Sequence, residues 1–231
     1  MALRCHITWG ALVAGLVFSG AAGALSQDPR EERRAIVAED QAASRSIVIQ
    51  PSDMPGWRPL SRFPRGGGGG CPHFDPNLSA YTITGEFRGR QFVRRMGEIG
   101  EVFTSAAWVY ATETDAAGEW RIYTSAASTA CFKAQLGKTA PSGSITVTSP
   151  PVPLNLPRVA PRQFGRRYRV LWFKGGGELG NIYVDEIKLG RGRSEVTLLV
   201  QRVGEDDSPP SAKLERQLTK LLGRRLALAF P

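Results

Sequence analysis

The stretch Asn181–Val203 restricts the fold more than any other. Two runs, Ile182–Leu189 and Ser194–Val203, flank Gly190-Arg191-Gly192. Glycines at both ends of so short a link let the backbone reverse without a side-chain clash, so the runs predict an antiparallel hairpin. Apolar residues fall on both faces. Ile187 and Leu189 share one side of the first run, and Ile182 and Val184 share the other; in the second run Val196, Leu198 and Val200 oppose Leu199 and Val203. A sheet with one wet face alternates more cleanly. The expected fold is therefore α+β, a largely antiparallel sheet covered by helices on both faces.

Other segments fit such a sandwich. Strands are expected at Tyr81–Phe87, Ile99–Tyr110, Ser144–Thr148 and Arg167–Lys174. Thr112, with Asp115 three residues on, reads as a capping box. It opens a helix in which Ala116, Trp120, Tyr123, Ala127, Ala130 and Ala134 recur at helical spacing. Pro150, Pro151, Pro153, Pro157 and Pro161 cannot donate ladder hydrogen bonds, so that segment runs along an edge or across the outside. Ser208 and Pro209 read as cap and first residue of a last helix, with Leu214, Leu218, Leu221 and Leu222 on its apolar face. Trp57, after the turn residues Asp53-Met54-Pro55-Gly56, reads as a plug at the core's edge.

The N-terminus has the three parts of an export signal: Arg4, an apolar run from Ile7 to Phe18, and the small residues Ala22-Gly23-Ala24. Residues 1–24 are read as that signal, with an uncleaved membrane anchor as the alternative. Residues 25–46 form a charged segment able to become helical. Residues 47–231 form one sandwich domain with a glycine-rich loop at 66–70. The hydrophobic fraction of 42 % supplies a real core. Loss of the signal removes Cys5 and leaves Cys71 and Cys131, an even pair that reads as one disulfide in an oxidising compartment. The formal charge of +9 would raise nucleic acid as a partner in the cytosol. Outside the membrane it points to lipid headgroups or acidic wall polymers, and nucleic acid is not expected. The basic residues look scattered, which reads first as solubility: Arg88, Arg90, Arg94, Arg95, Arg162, Arg166, Arg167, Arg169, Arg224 and Arg225.

Most motifs dissolve on inspection. Gly175–Gly180 matches G-x-G-x-x-G, but a strand and not a helix follows, so it reads as a hairpin loop and no cofactor is expected. Gly137-Lys138-Thr139 lacks the glycine that a phosphate loop needs upstream, since Phe132 stands there. Cys71-Pro72-His73 lacks further ligands, so no metal is expected. Hydrolytic serine chemistry would need His73, with no nucleophile elbow in the chain. Asp185 and Glu186 fall on opposite faces of one strand and cannot converge. No catalytic residue is assigned.

Several blocks together resemble a known group. These are Ser52-Asp53-Met54-Pro55-Gly56-Trp57, Cys71-Pro72, Tyr81-Thr82-Ile83-Thr84-Gly85-Glu86, Thr104–Glu113, Cys131-Phe132, and Tyr183-Val184-Asp185 with Gly190-Arg191-Gly192-Arg193. They resemble exported actinobacterial-type proteins that are similar to the extracellular sensor domain of PknH-like serine/threonine kinases. The likeness covers roughly residues 36–228. It implies an antiparallel sheet packed with helices, an extracytoplasmic place and a ligand groove. That sensor domain carries two disulfides where this mature chain can form one, and no kinase is present, so neither signalling nor a site residue carries over.

The expected function is a non-catalytic, sensor-like domain, secreted or on the extracytoplasmic face of the membrane, that binds an amphipathic or anionic envelope ligand. The expected groove is lined by Trp108, Trp120, Tyr123, Trp172, Tyr183 and Asp185, with arginines nearby; the alternative is that the five aromatics are ordinary core. Partners would be a lipid, a cell-wall fragment or an envelope protein, and membrane association would follow only from an uncleaved N-terminus. The alternatives are a cell-envelope hydrolase using Asp185, for which clustered, perturbed carboxylates would speak, and an interaction module built on an apolar strip along Asp28–Ile49.

Overall fold

The computed structural model describes residues 30–62, 71, 74–96, 99–137, 145–174, 177–204 and 207–231. The expected export signal, the loop at 66–70 and His73 lie outside the described residues.

One sheet carries the fold. Its strands are β1 (Arg33–Arg34), β2 (Arg58–Arg62), β3 (Thr82–Arg88), β4 (Arg90–Met96), β5 (Ile99–Tyr110), β6 (Ile145–Thr148), β7 (Val152–Pro153), β8 (Arg162–Lys174), β9 (Gly177–Arg191) and β10 (Ser194–Gly204). The main path runs β1-β3-β5-β10-β9-β8-β6; β4 also pairs with β5 and carries β2 outside it, while β7 adds to β8. Among the described strands only the β1–β3 pairing is parallel.

Helices α1 (Ala38–Ile47) and α4 (Ala212–Ala229) cover one face, and α2 (Glu113–Tyr123) and α3 (Ala126–Gly137) cover the other. This is the α+β sandwich that the two-sided hairpin requires. The larger core lies under α1 and α4, where Phe92, Phe103, Ile187, Leu189, Val196, Leu198 and Val200 meet Ile47, Leu218, Leu222 and Leu226. Under α3, Tyr168, Val170, Ile182 and Val184 meet Phe132 and Leu136.

The hairpin is longer than its sequence signal, with a tighter turn. Arg191 pairs with Ser194, so the turn is Gly192-Arg193 and not Gly190-Arg191-Gly192. Gly192 sits at φ +52°, where a side chain would be strained. β9 already begins at Gly177, so positions 177–180 of the expected loop over Gly175–Gly180 are strand, and residues 175–176 lie outside the described residues.

Three helical expectations change. The segment from Thr112 is two helices and not one. Thr112 Oγ1 caps the first as expected, accepting from Asp115 N at 3.0 Å. Ser125 then starts a second helix, its Oγ accepting from Ser128 N at 3.1 Å. The last helix is capped by Ser211, whose Oγ accepts from Leu214 N at 3.4 Å, and not by Ser208. The thin apolar side of α1 is compensated by polar docking onto β3. Gln41 Nε2 donates to Glu86 O at 2.6 Å and Gln41 Oε1 accepts from Glu86 N at 3.1 Å. Asp40 takes both arms of Arg193 from the hairpin turn, each at 2.6 Å. Hydrogen bonding to Arg193 comes first among the causes that hold the Asp40 carboxyl below its usual range.

Cys71 and Cys131 form the expected disulfide, with Cα atoms 5.6 Å apart, and so fasten the chain ahead of β3 to α3. Among the described residues no helix is long and apolar enough to cross a membrane.

Candidate functional site: an arginine-lined cleft and two buried charge networks

The residues expected to line one groove fall on two sides of the sheet. Trp108, Trp120 and Tyr123 share the α2–α3 face. Trp108 packs against the cluster of Ile83, Tyr110 and Ala116. Trp120 and Tyr123 stand over Lys188 of β9, whose Nζ lies 5.5 Å and 3.8 Å from their ring centroids. Tyr183 and Asp185 belong to the opposite, α4-covered face, because odd positions of β9 point there with Ile187 and Leu189. Trp172 belongs to β8, paired with Thr146 and Gly180, and its side chain lies outside the described residues. The expected single groove is therefore corrected: its five described side chains fall into two separate clusters on opposite faces of the sheet.

Under α2 the cluster is a closed charge network. Lys188 Nζ lies 2.6 Å from Glu119 of α2 and 2.8 Å from Glu195 of β10. Burial alone would lower the Lys188 amine, but the two carboxylates outweigh it and raise it. Burial, reinforced by Glu119 and opposed by Lys188, pushes the Glu195 carboxyl up to about 8. Two carboxyls beside one ammonium thus hold a proton at neutral pH. Tyr123 donates its hydroxyl to Glu186, and burial followed by Glu186 raises the phenol well above its ordinary value. Arg166 Nε donates to Glu186 at 2.6 Å and its Nη1 donates to Thr129, which ties α3 to the same cluster.

The opposite face repeats the pattern. Arg167 donates to both oxygens of Asp185, at 2.7 and 2.6 Å, and to Glu215 of α4 at 3.0 Å. Burial first, then the hydrogen bond to Asp185, pushes the Glu215 carboxyl up to about 9. Tyr183 donates its hydroxyl to Asp207, which also pairs with Arg169 at 2.8 Å. These carboxylates are clustered and perturbed, as hydrolytic chemistry would want, yet Glu195 and Asp185 have 0 % side-chain exposure. Their partners are already engaged, so what each network does is hold a helix on the sheet.

The accessible chemistry lies at the sheet's other end. β2 and β4 together carry five arginines and no acid, as RPLSR and RQFVRRM. A turn positions them. Pro55 and Gly56, with Gly56 at φ +80°, let Trp57 N donate back to Met54 O at 3.1 Å, the pattern of a type II turn. Trp57 then packs edge-on against Phe103, with centroids 4.5 Å apart, and bears the Arg94 guanidinium at 4.5 Å. Arg94 is further spent on Glu101, at 2.8 Å. Beside it opens a cleft of about 560 Å³ lined by Gly56, Arg58, Val93, Arg94 and Arg95. Arg58 and Arg95 are exposed and make no ion pair or side-chain hydrogen bond among the described residues. Arg58 sits directly across from Val93, and Arg95 two residues farther on, so both guanidinium chains leave the same side of the strand pair.

Sequence reasoning missed this site. It read Arg94 and Arg95 as scattered charge, did not single out Arg58, and expected neither β2 nor β4. The available signal was two short arginine runs without an acid. A second cleft, of about 410 Å³, lies at the hairpin turn. Its Asp40 and Arg193 already neutralise each other.

No cluster of three or more His, Cys, Asp or Glu able to hold a metal occurs among the described residues. Comparison with protein families, with curated proteins and with solved structures finds no match, and the candidate site therefore stands on this chain's own geometry.

Proposed function

We propose that the protein is a non-catalytic, extracytoplasmic ligand-binding domain of a sensor-like kind, and that its ligand is anionic. The observation that carries the reading is the cleft in which Arg58 and Arg95 stand exposed with no counter-charge among the described residues, beside an Arg94 already committed to Glu101. Two desolvatable guanidiniums without carboxylates are a receptor for an anion and supply neither nucleophile nor general base. The disulfide suits an oxidising compartment and agrees with the export signal read at 1–24. In that compartment the anions at hand are lipid headgroups, wall fragments and acidic envelope proteins.

The hydrolase reading loses ground on the same geometry, since the perturbed carboxyls are enclosed by α2 and α4. The test is binding of the chain from residue 25 onward to phosphatidylglycerol vesicles and to an acidic wall polymer, compared with phosphatidylcholine vesicles, at two salt concentrations. Binding to the anionic targets is expected to weaken with salt and to be lost in Arg58→Ala/Arg95→Ala. Binding that the double substitution leaves unchanged would remove the cleft from the account.

A further inference from the structure

We propose that the cleft beside β4 is a two-arginine clamp for a phosphate monoester. This rests on the anion-binding reading above and narrows it to one chemistry.

The geometry carries three arguments. First, Arg58 and Arg95 are diagonal neighbours on adjacent antiparallel strands, one residue pair apart from the direct partners Arg58 and Val93. Such diagonal positions place Cα atoms about 7–8 Å apart. Two long, forked side chains starting at that separation reach one central group from both sides.

Second, the charge matches. Arg94 is held by Glu101, a carboxylate it shares with Arg202, so the cleft presents Arg58 and Arg95 as two positive charges with no acid against them among the described residues. A phosphate monoester carries about −1.5 to −2 near neutral pH and three terminal acceptor oxygens. A carboxylate offers a single charge and two oxygens, and leaves one guanidinium without a partner.

Third, the space is shaped for an esterified group. Gly56 has nothing within 4 Å of where a Cβ would stand, and Val93, 5 % exposed, gives the cleft an apolar lining residue. About 560 Å³ is far more than a phosphate alone fills, which leaves room for the organic part of the ester. The source of the phosphate is either a lipid headgroup such as phosphatidate or a free monoester; the recognising chemistry is the same.

The test uses phenyl phosphate and benzoate as matched probes, titrated by calorimetry at pH 5.0 and 7.5. Phosphatidate vesicles form a separate arm. Phenyl phosphate is expected to bind at least ~10-fold more tightly than benzoate, and to gain at least ~3-fold from pH 5.0 to 7.5 as its second proton leaves near pH 6. Arg58→Lys/Arg95→Lys keeps both charges but loses the forks, and should bind ~5-fold or more weakly. Arg58→Gln/Arg95→Gln should abolish binding with an unchanged circular dichroism spectrum, since neither side chain has a structural partner. Binding in the vesicle arm alone assigns the phosphate to a headgroup, and binding in both arms to monoesters in general.

Equal affinity for the two probes would overturn the phosphate clamp while leaving an anion-binding cleft. Absence of binding to either probe and to the vesicles would overturn both.

Discussion

The Lys188 ammonium lies 2.8 Å from the Glu195 carboxylate, although the two residues are diagonal and not direct partners across β9 and β10. Glu195 is directly opposite Gly190, where the Arg162 side chain takes the space a Cβ would fill and brings its Nη2 within 3.8 Å of Glu195, while Lys188 reaches along the strand from the other side. Glu119 closes the group from α2.

Removing the cation should therefore cost more than removing one of its carboxylates. Lys188→Met is expected to destabilise the protein by about 3–5 kcal/mol, the usual range for breaking a buried pair. Glu195→Gln leaves Lys188 its closer partner Glu119 and should cost clearly less. Urea unfolding of the two variants at pH 7 compares them; a Glu195→Gln loss equal to that of Lys188→Met would refute this division of roles.

Stability should fall with rising pH across the neutral range. Burial lifts the folded-state carboxyls of Glu195 to about 8 and of Glu215 to about 9, against an ordinary value of 4.5. Between the ordinary and the raised values the folded protein holds protons that the unfolded chain has released. Their contribution is complete below about 4.5 and disappears as pH passes 8 to 9, with a slope on the order of 1.4 kcal/mol per pH unit for each group. Asp40 acts oppositely, since its lowered carboxyl contributes above 3.8 and is lost only in acid. Denaturant midpoints at pH 5, 7 and 9 should decline in that order, and Glu195→Gln/Glu215→Gln should flatten the decline.

Reduction should loosen the fold without dissolving the larger core. The disulfide closes a separation of 60 residues, which is worth about 4 kcal/mol in the chain-entropy account. Calorimetric melting with and without a thiol reductant should show a clear drop in Tm. Mass spectrometry of the unreduced protein should find no free thiol at Cys71 or Cys131.

Gly118→Ala should destabilise, against helix propensity. Alanine favours a helix interior over glycine by about 1 kcal/mol. A Cβ at residue 118, however, would lie 2.5 Å from the Tyr81 ring, at the helix's contact with the chain entering β3. The expected net loss is about 1–2 kcal/mol, as crowding outweighs propensity. A rise in melting temperature would contradict it.

Gly118 also shows where sequence reasoning stopped. Read locally it is a weak point in a helix, and only tertiary contact with Tyr81 reveals why a side chain does not fit. The hairpin, β5 and the Leu218–Leu222 face of α4 were legible because periodicity reports burial directly. β2 and β4 were not, since Pro59 and paired arginines disguise a short edge. Trp108, Trp120 and Tyr123 were rightly read as helix or strand residues on covered elements. Their division from Tyr183 and Asp185 depended on which face of β9 each helix covers, and no spacing encodes that. The Lys188–Glu119–Glu195 network left no mark either, because its members are remote in the chain.

Among the described residues β2 pairs only with β4, at the outer rim of a ten-stranded sheet. Such a rim is a template on which a second copy can add its own strand. Here Pro59 offers no amide hydrogen to a newcomer, and the Arg58 charge on β2 would repel its twin on another molecule. The same short strand that furnishes the cleft thus disfavours edge-to-edge stacking of separate molecules.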